Sequence, residues 1–239
     1  MRLLTRYSGT ILKAVPKWLL SNAYIKKAEE IMFFYNLNTI LNNSNINLAF
    51  DVGANIGSYS LLLRETGFKK QIIAFEPIHK YYLLCKQNLL RYPDIKVENI
   101  ALGDHNGTSK INIASNNGQS SSILTFNIPN ITTISKEKIS LLTLSTYLEK
   151  NNLFNKNIFL KLDVQGYEFK ILKGIKNFDN IQVIQLEMAL VHYYEKETLF
   201  PEMFAFMNDI GYKIVLLKDL GKNNKGEIQY LDVVFKKNS

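Results

Sequence analysis

The sequence predicts an α/β fold in which helices cover both faces of a mostly parallel sheet. Three observations carry this. Asn47 to Ser60 reads as a buried strand, a glycine turn and the start of a helix. Further short apolar runs, at 71–76, 95–101, 157–163 and 181–187, alternate with segments whose apolar residues recur at helical spacing. Two last runs, 213–217 and 229–235, flank a polar turn and read as an antiparallel hairpin. Strands alternating with helices need crossover connections and therefore a doubly wound, mostly parallel sheet, here with seven strands.

Each element has its own signal. Residues 1–45 read as a helical extension ahead of the first strand, and residues 46–239 as one domain. In the extension, Leu4, Ile11, Val15 and Trp18 fall on one face and Arg2, Arg6, Lys13 and Lys17 on the other, with a break at Pro16. The first strand is 47–52, and Gly67 ends the helix that follows it. Pro77 opens a second helix, where proline is tolerated. The third strand spans 95–101, and 110–114 alternates like a short extra strand. Residues 115–138 are a long polar loop, a length that in a compact domain is functional or a linker. A short strand at 139–142 and a helix at 144–150 lead into the fourth strand, 157–163. Gly166 turns that strand into the next helix. The fifth strand is 181–187, and Gly211 caps the helix 198–210.

Bulk properties exclude several classes. With 239 residues, 46% of them hydrophobic, the chain can bury a sizeable core. One cysteine, Cys85, permits no internal disulfide and fits a reducing, cytoplasmic compartment. The formal charge is +8, but no long basic run with interleaved aromatics occurs, so nucleic acid is not the expected partner. No apolar run reaches the ~18 residues of a spanning helix. The basic amphipathic N-terminal stretch either packs on the domain or lies on a membrane surface.

Glycine spacing narrows the ligand. Asp51-Val52-Gly53-Ala54-Asn55-Ile56-Gly57-Ser58 puts Asn55 and Ser58 where a dinucleotide fingerprint needs glycine. No Gly-Lys-Ser/Thr is present to cradle a phosphate. Glu76 ends the second strand, where an acid about 20 residues past the turn grips ribose hydroxyls. A nucleoside without phosphate, beside a glycine turn, points to S-adenosylmethionine.

Four blocks then resemble a known family. They are Asp51-Val52-Gly53-Ala54-Asn55-Ile56-Gly57, Ala74-Phe75-Glu76-Pro77, Asn99-Ile100-Ala101-Leu102-Gly103-Asp104, and Lys161-Leu162-Asp163-Val164-Gln165-Gly166-Tyr167-Glu168. In order and spacing they resemble the FkbM-type methyltransferases. The resemblance implies a Rossmann-like class I methyltransferase fold, S-adenosylmethionine as donor, and O-methylation of a sugar, glycan or natural-product hydroxyl. Together with the turn it implies Asp51, Gly53, Ala54, Asn55 and Gly57 around the methionine part. Glu76 is then expected at the ribose, and Ile100 and Ala101 near the adenine. The rival readings are an NAD-dependent sugar enzyme, which the missing glycine disfavours, and a nucleoside-binding module without turnover.

Methyl transfer to a neutral hydroxyl needs a positioned acceptor and a base. Asp163 at the end of the fourth strand and Glu187 at the end of the fifth are the first candidates, followed by His192. The two carboxylates together can hold a divalent metal, but acids at neighbouring strand ends also arise without one, and no metal is expected.

Overall fold

The computed structural model describes residues 22–238. Along the chain run α1 (Asn22–Asn43), β1 (Leu48–Val52), α2 (Ser58–Glu65), β2 (Gln71–Phe75), α3 (His79–Leu89), β3 (Ile95–Glu98), β4 (Ala101–Leu102), β5 (Gly107–Ala114), β6 (Thr133–Leu142), α4 (Leu144–Lys150), β7 (Ile158–Leu162), α5 (Glu168–Lys173), β8 (Ile181–Ala189), α6 (Phe200–Asp209), β9 (Tyr212–Lys222) and β10 (Ile228–Lys237). The stripe predicted for Leu4, Ile11, Val15 and Trp18, and the break at Pro16, lie outside the described residues.

The main sheet has seven strands in the order β3-β2-β1-β7-β8-β10-β9. Neighbours from β3 to β8 are parallel. β10 is antiparallel to both β8 and β9 and sits between them. This is the doubly wound, mostly parallel seven-stranded sheet with an antiparallel C-terminal strand that the sequence predicts.

Strand alternation divides the core into two layers. Leu48, Phe50 and Val52 of β1 join residues of α4, α5 and α6 on one face. Ala49 faces the other layer with Phe33, Phe34, Leu37 and Leu41 of α1, Leu63 of α2, and Cys85 and Leu89 of α3. Leu37 and Leu41 are fully buried. Each such leucine stabilises the fold by about 1.5–3 kcal/mol, which ties the second half of α1 to the sheet. Cys85 is the buried core thiol that its place on the apolar stripe implies.

Two expectations change between β3 and β7. The third strand leaves the main sheet at Glu98 rather than Ala101, because Asn99 turns the chain by donating its side-chain amide to the carbonyls of Glu76 and Pro77. Ala101 and Leu102 then pair with β6 in a separate sheet of order β4-β6-β5. β6 starts at Thr133, six residues ahead of the predicted 139. Its first half is exposed and carries no apolar alternation, so periodicity could not reveal it. The small sheet packs Ile111, Ile139 and Leu141 against Ile78 and Tyr81 at the start of α3.

Candidate active site

A cavity of about 390 Å³ opens at the carboxyl ends of β1, β2 and β7. That lies within the ~300–1,000 Å³ of small-molecule sites, at the edge where open α/β sheets bind ligands. One wall is the turn after β1. Gly53, Asn55 and Gly57 there have φ of 82°, 48° and 85°. Gly53 has a second constraint, since a Cβ on it would stand 1.9 Å from the Asp163 carbonyl oxygen. The turn can therefore fit tightly against the end of β7 only with glycine at this position.

Glu76 follows β2 and is 4% exposed. Its Oε2 accepts from the Asn55 N–H and its Oε1 from the Ile78 N–H, both at 2.8 Å. Each oxygen keeps a lone pair for a ligand hydroxyl. Burial pushes its carboxyl up to about 7, partly offset by those two N–H groups. Ile100 and Ala101 line the cavity beyond it.

The opposite wall is polar. Strand register aligns Asp51 with Lys161 and Lys161 with Gln185 across β1, β7 and β8. Lys161 is 3% exposed, and its Nζ lies 3.0 Å from Asp51 Oδ1 and 3.4 Å from Asp163 Oδ2. It also stands 4.9 Å over the Tyr59 ring. Ser60 donates to the other oxygen of Asp51 at 2.7 Å. Tyr59 donates to Gln185, and Gln185 donates to Asp232.

Gln165, held at φ 59°, donates its amide to Asp163 at 2.8 Å and to Glu187 at 2.6 Å. Its carbonyl side accepts from the Tyr194 hydroxyl at 2.6 Å. Burial works against the charge on Asp163, but Lys161 and hydrogen bonds from Glu187 and Gln165 hold its carboxyl below the usual range. Burial and the charge of Asp163 push Glu187 well above that range. Two acids this close resist ionising together, and Asp163, beside Lys161, is the one that more readily holds the charge.

The loop 115–132 supplies a third wall through Gly118, Gln119, Ser121 and Ile123. It is pinned at several points. Ser122 donates to the Gln165 carbonyl at 2.7 Å, and Ser121 accepts from the Ala114 N–H. Residues 125–127 bond the backbone of 193–195. Gly118, at φ 72°, lies against the Tyr81 ring, 2.2 Å from where a Cβ would stand. The loop is an ordered wall of the cavity.

Of the residues expected at the site, Gly53, Ala54, Asn55 and Glu76 line the cavity. Ile100, Ala101, Asp163 and Glu187 line it as well. Asp51 and Gly57 stand behind it. Asp51 is buried in its pairing with Lys161, and a Cβ on Gly57 would stand 2.9 Å from Leu89 Cδ1, so that glycine serves packing of the turn on α3. His192 is exposed and not part of the wall. Sequence reasoning missed Lys161, Gln165, Tyr59 and Tyr194 as site residues. A lysine inside the apolar run Ile158-Phe159-Leu160-Lys161-Leu162 was one local signal, and Lys161 and Gln165 both belong to the block Lys161-Leu162-Asp163-Val164-Gln165-Gly166-Tyr167-Glu168. Among the described residues, no three metal-ligating side chains come together, and no helix is long and apolar enough to cross a membrane.

Several solved structures are similar to the chain. Magnesium protoporphyrin IX methyltransferase from Synechocystis PCC 6803, with bound SAM, is 10% identical, with a TM-score of 0.49 over 94% of this chain and 86% of that one. TrmK from M. capricolum, in complex with S-adenosyl-homocysteine, is 13% identical, with 0.48 over 83% and 68%. Precorrin-6y C5,15-methyltransferase from Geobacter metallireducens GS-15 is 13% identical, with 0.40 over 81% and 82%. No curated protein matches the sequence. The family described as Methyltransferase FkbM domain matches residues 51–214, more than half of the 239-residue chain. That span runs from Asp51 of the glycine turn through Asp163, Gln165 and Glu187, and the chain belongs to the FkbM methyltransferase family.

Proposed function

We propose that the protein transfers a methyl group from S-adenosylmethionine to a hydroxyl of a sugar, glycan or natural product. The observation that carries this is one cavity with Glu76 on one wall and the Asp163–Glu187 pair on the other. The residues suit a nucleoside that lacks phosphate. The lysine in the cavity wall, Lys161, is already paired with two carboxylates, so it offers no charge to a pyrophosphate. Glu76 offers oxygen lone pairs for ribose hydroxyls. Ile100, Ala101 and Ile78 offer an apolar slot for a base.

The cofactor, when bound, supplies an electrophilic methyl group. The chain's own residues then have three tasks. The turn Gly53–Gly57 and Glu76 hold the donor. The loop 115–132 screens the cavity from water. Asp163 receives the acceptor's proton as the new C–O bond forms. A weak base suffices there, because the hydroxyl becomes strongly acidic as its oxygen is alkylated. Lys161 and Gln165 keep Asp163 ionised and aimed.

Isothermal calorimetry with S-adenosylmethionine or its demethylated product is expected to show binding. Glu76→Ala is expected to weaken it by tenfold or more, about 1.4 kcal/mol or above. Absence of binding to the wild-type protein sinks the proposal. Binding with no methyl transfer to any hydroxyl acceptor would instead favour a module without turnover.

A further inference from the structure

The helix α1 is apolar on two sides. From Tyr24 to Met32 no residue is buried, whereas Phe33, Phe34, Leu37 and Leu41 are. Yet this unburied half carries Tyr24, Ile25, Ile31 and Met32, exposed by 58, 40, 46 and 57%. Tyr35, 61% exposed, continues the same stripe. At ~100° per residue these five fall within about 120° of the circumference, away from the face that meets the sheet. The direction of the helix is also fixed. Leu41 bonds Ile46 just before β1, and the Phe34 ring lies 5.0 Å from that of Tyr59 in the cavity wall. Continued past Phe34, the segment from Met32 back to Asn22 spans about 16 Å along the helix axis.

Charge identifies what this face meets. Lys26 and Lys27 on α1 are balanced by Glu29 and Glu30, with Lys27 and Glu30 paired at 2.8 Å. The residues before α1 are not balanced. Positions 1–21 hold Arg2, Arg6, Lys13 and Lys17 and no acid. An apolar helix face preceded in the sequence by unbalanced cations complements an anionic surface with an apolar interior. A second copy of the chain fits less well, since a standard dimer interface takes about 20–30 residues a side.

We propose that the outer face of α1, with the basic segment before it, seats the protein on an anionic lipid bilayer. Tyr24, Ile25, Ile31, Met32 and Tyr35 enter the boundary between headgroups and acyl chains, and the excess positive charge of the preceding sequence favours anionic headgroups. The docking does not depend on the reaction proposed above.

The test uses the full chain and vesicle flotation. Vesicles of phosphatidylcholine mixed with anionic phosphatidylglycerol are expected to carry the protein, and phosphatidylcholine alone is not. Rising salt should weaken the association. The Ile31→Glu/Met32→Glu double variant should bind on the order of tenfold more weakly or worse. Both positions are exposed, so the fold should survive, as circular dichroism would check. The emission of Trp18, the chain's one tryptophan, should shift to the blue on anionic vesicles. Equal binding by the double variant, or no binding to anionic vesicles, overturns the proposal. So does a lipid-free dimer, seen by sedimentation equilibrium, that the double variant abolishes.

Discussion

Lys161 bonds a carboxylate on either side, Asp51 and Asp163, from a position almost closed to solvent. The pairing resolves a cost that neither residue could bear alone, because a buried unpaired charge is strongly destabilising. Lys161→Met keeps much of the side-chain volume and removes the charge. It leaves Asp51, 1% exposed, with Ser60 but no cation. The expected loss is about 3–5 kcal/mol in urea unfolding. A loss below about 1 kcal/mol would mean that Asp51 is satisfied without the lysine. Asp163 and Glu187 were legible from sequence, since each ends an apolar run where a ligand edge was expected. Lys161 was not legible as their partner. Its bond to Asp51 joins residues 110 apart, a pairing set by strand order and invisible to any local window.

The turn between β7 and α5 shows how one element is held for function. Glu168 is 4% exposed, and its Oε1 accepts from the N–H of Val164 at 2.8 Å and of Gly166 at 3.3 Å. Those bonds fix the backbone on which Gln165 bridges the two acids. An acid in the first turn of a helix is favoured by the helix dipole alone, and burial adds a second role for Glu168 as the inner brace of the loop. Burial also pushes its carboxyl up to about 8, although the bound N–H groups act the other way. At neutral pH the brace is therefore largely uncharged. Glu168→Gln keeps the acceptor oxygen and should leave stability near wild type, or raise it above pH 8. Glu168→Ala leaves the two N–H groups without that acceptor and should cost about 1–3 kcal/mol. Denaturant midpoints for the two variants would separate these roles. A glutamine variant as unstable as the alanine variant would show that the charge, rather than the acceptor, holds the turn.

Across the whole molecule several buried acids titrate together. Burial raises Asp232 from 3.8 to about 6, Glu76 from 4.5 to about 7 and Glu168 from 4.5 to about 8. A carboxyl raised on folding binds its proton more tightly in the folded chain than in the unfolded one. Its contribution is complete below the unfolded value and is lost as pH rises through the folded value. Asp163, held low, acts in the opposite sense, and its contribution is lost only as the solution becomes strongly acidic. Unfolding free energy is therefore expected to fall by a few kcal/mol between about pH 5 and pH 8. Urea midpoints at three pH values in that range test it. A midpoint that rises with pH would contradict the buried, uncharged state of these acids.

The sequence by itself determined the layer order, the glycine turn and the acids that follow β2 and β7, whereas β8 runs to Ala189, past Glu187, where the sequence predicts its end. These features are local. Apolar alternation, turn residues and the end of a strand are written within about ten neighbouring positions. Tertiary structure alone decided the rest. It put β10 between β8 and β9, joined Asp51 to Lys161 and kept His192 out of the cavity. It also folded the polar loop 115–132 into a wall by bonding it to Gln165 and to residues 193–195. In α1 it left one apolar face on the core and the other on the surface. Each of these outcomes depends on which distant segments meet, and the physical reason is the same in each case. A buried polar group or an apolar face is satisfied by whatever packing brings to it, and its own neighbours in sequence do not specify that partner.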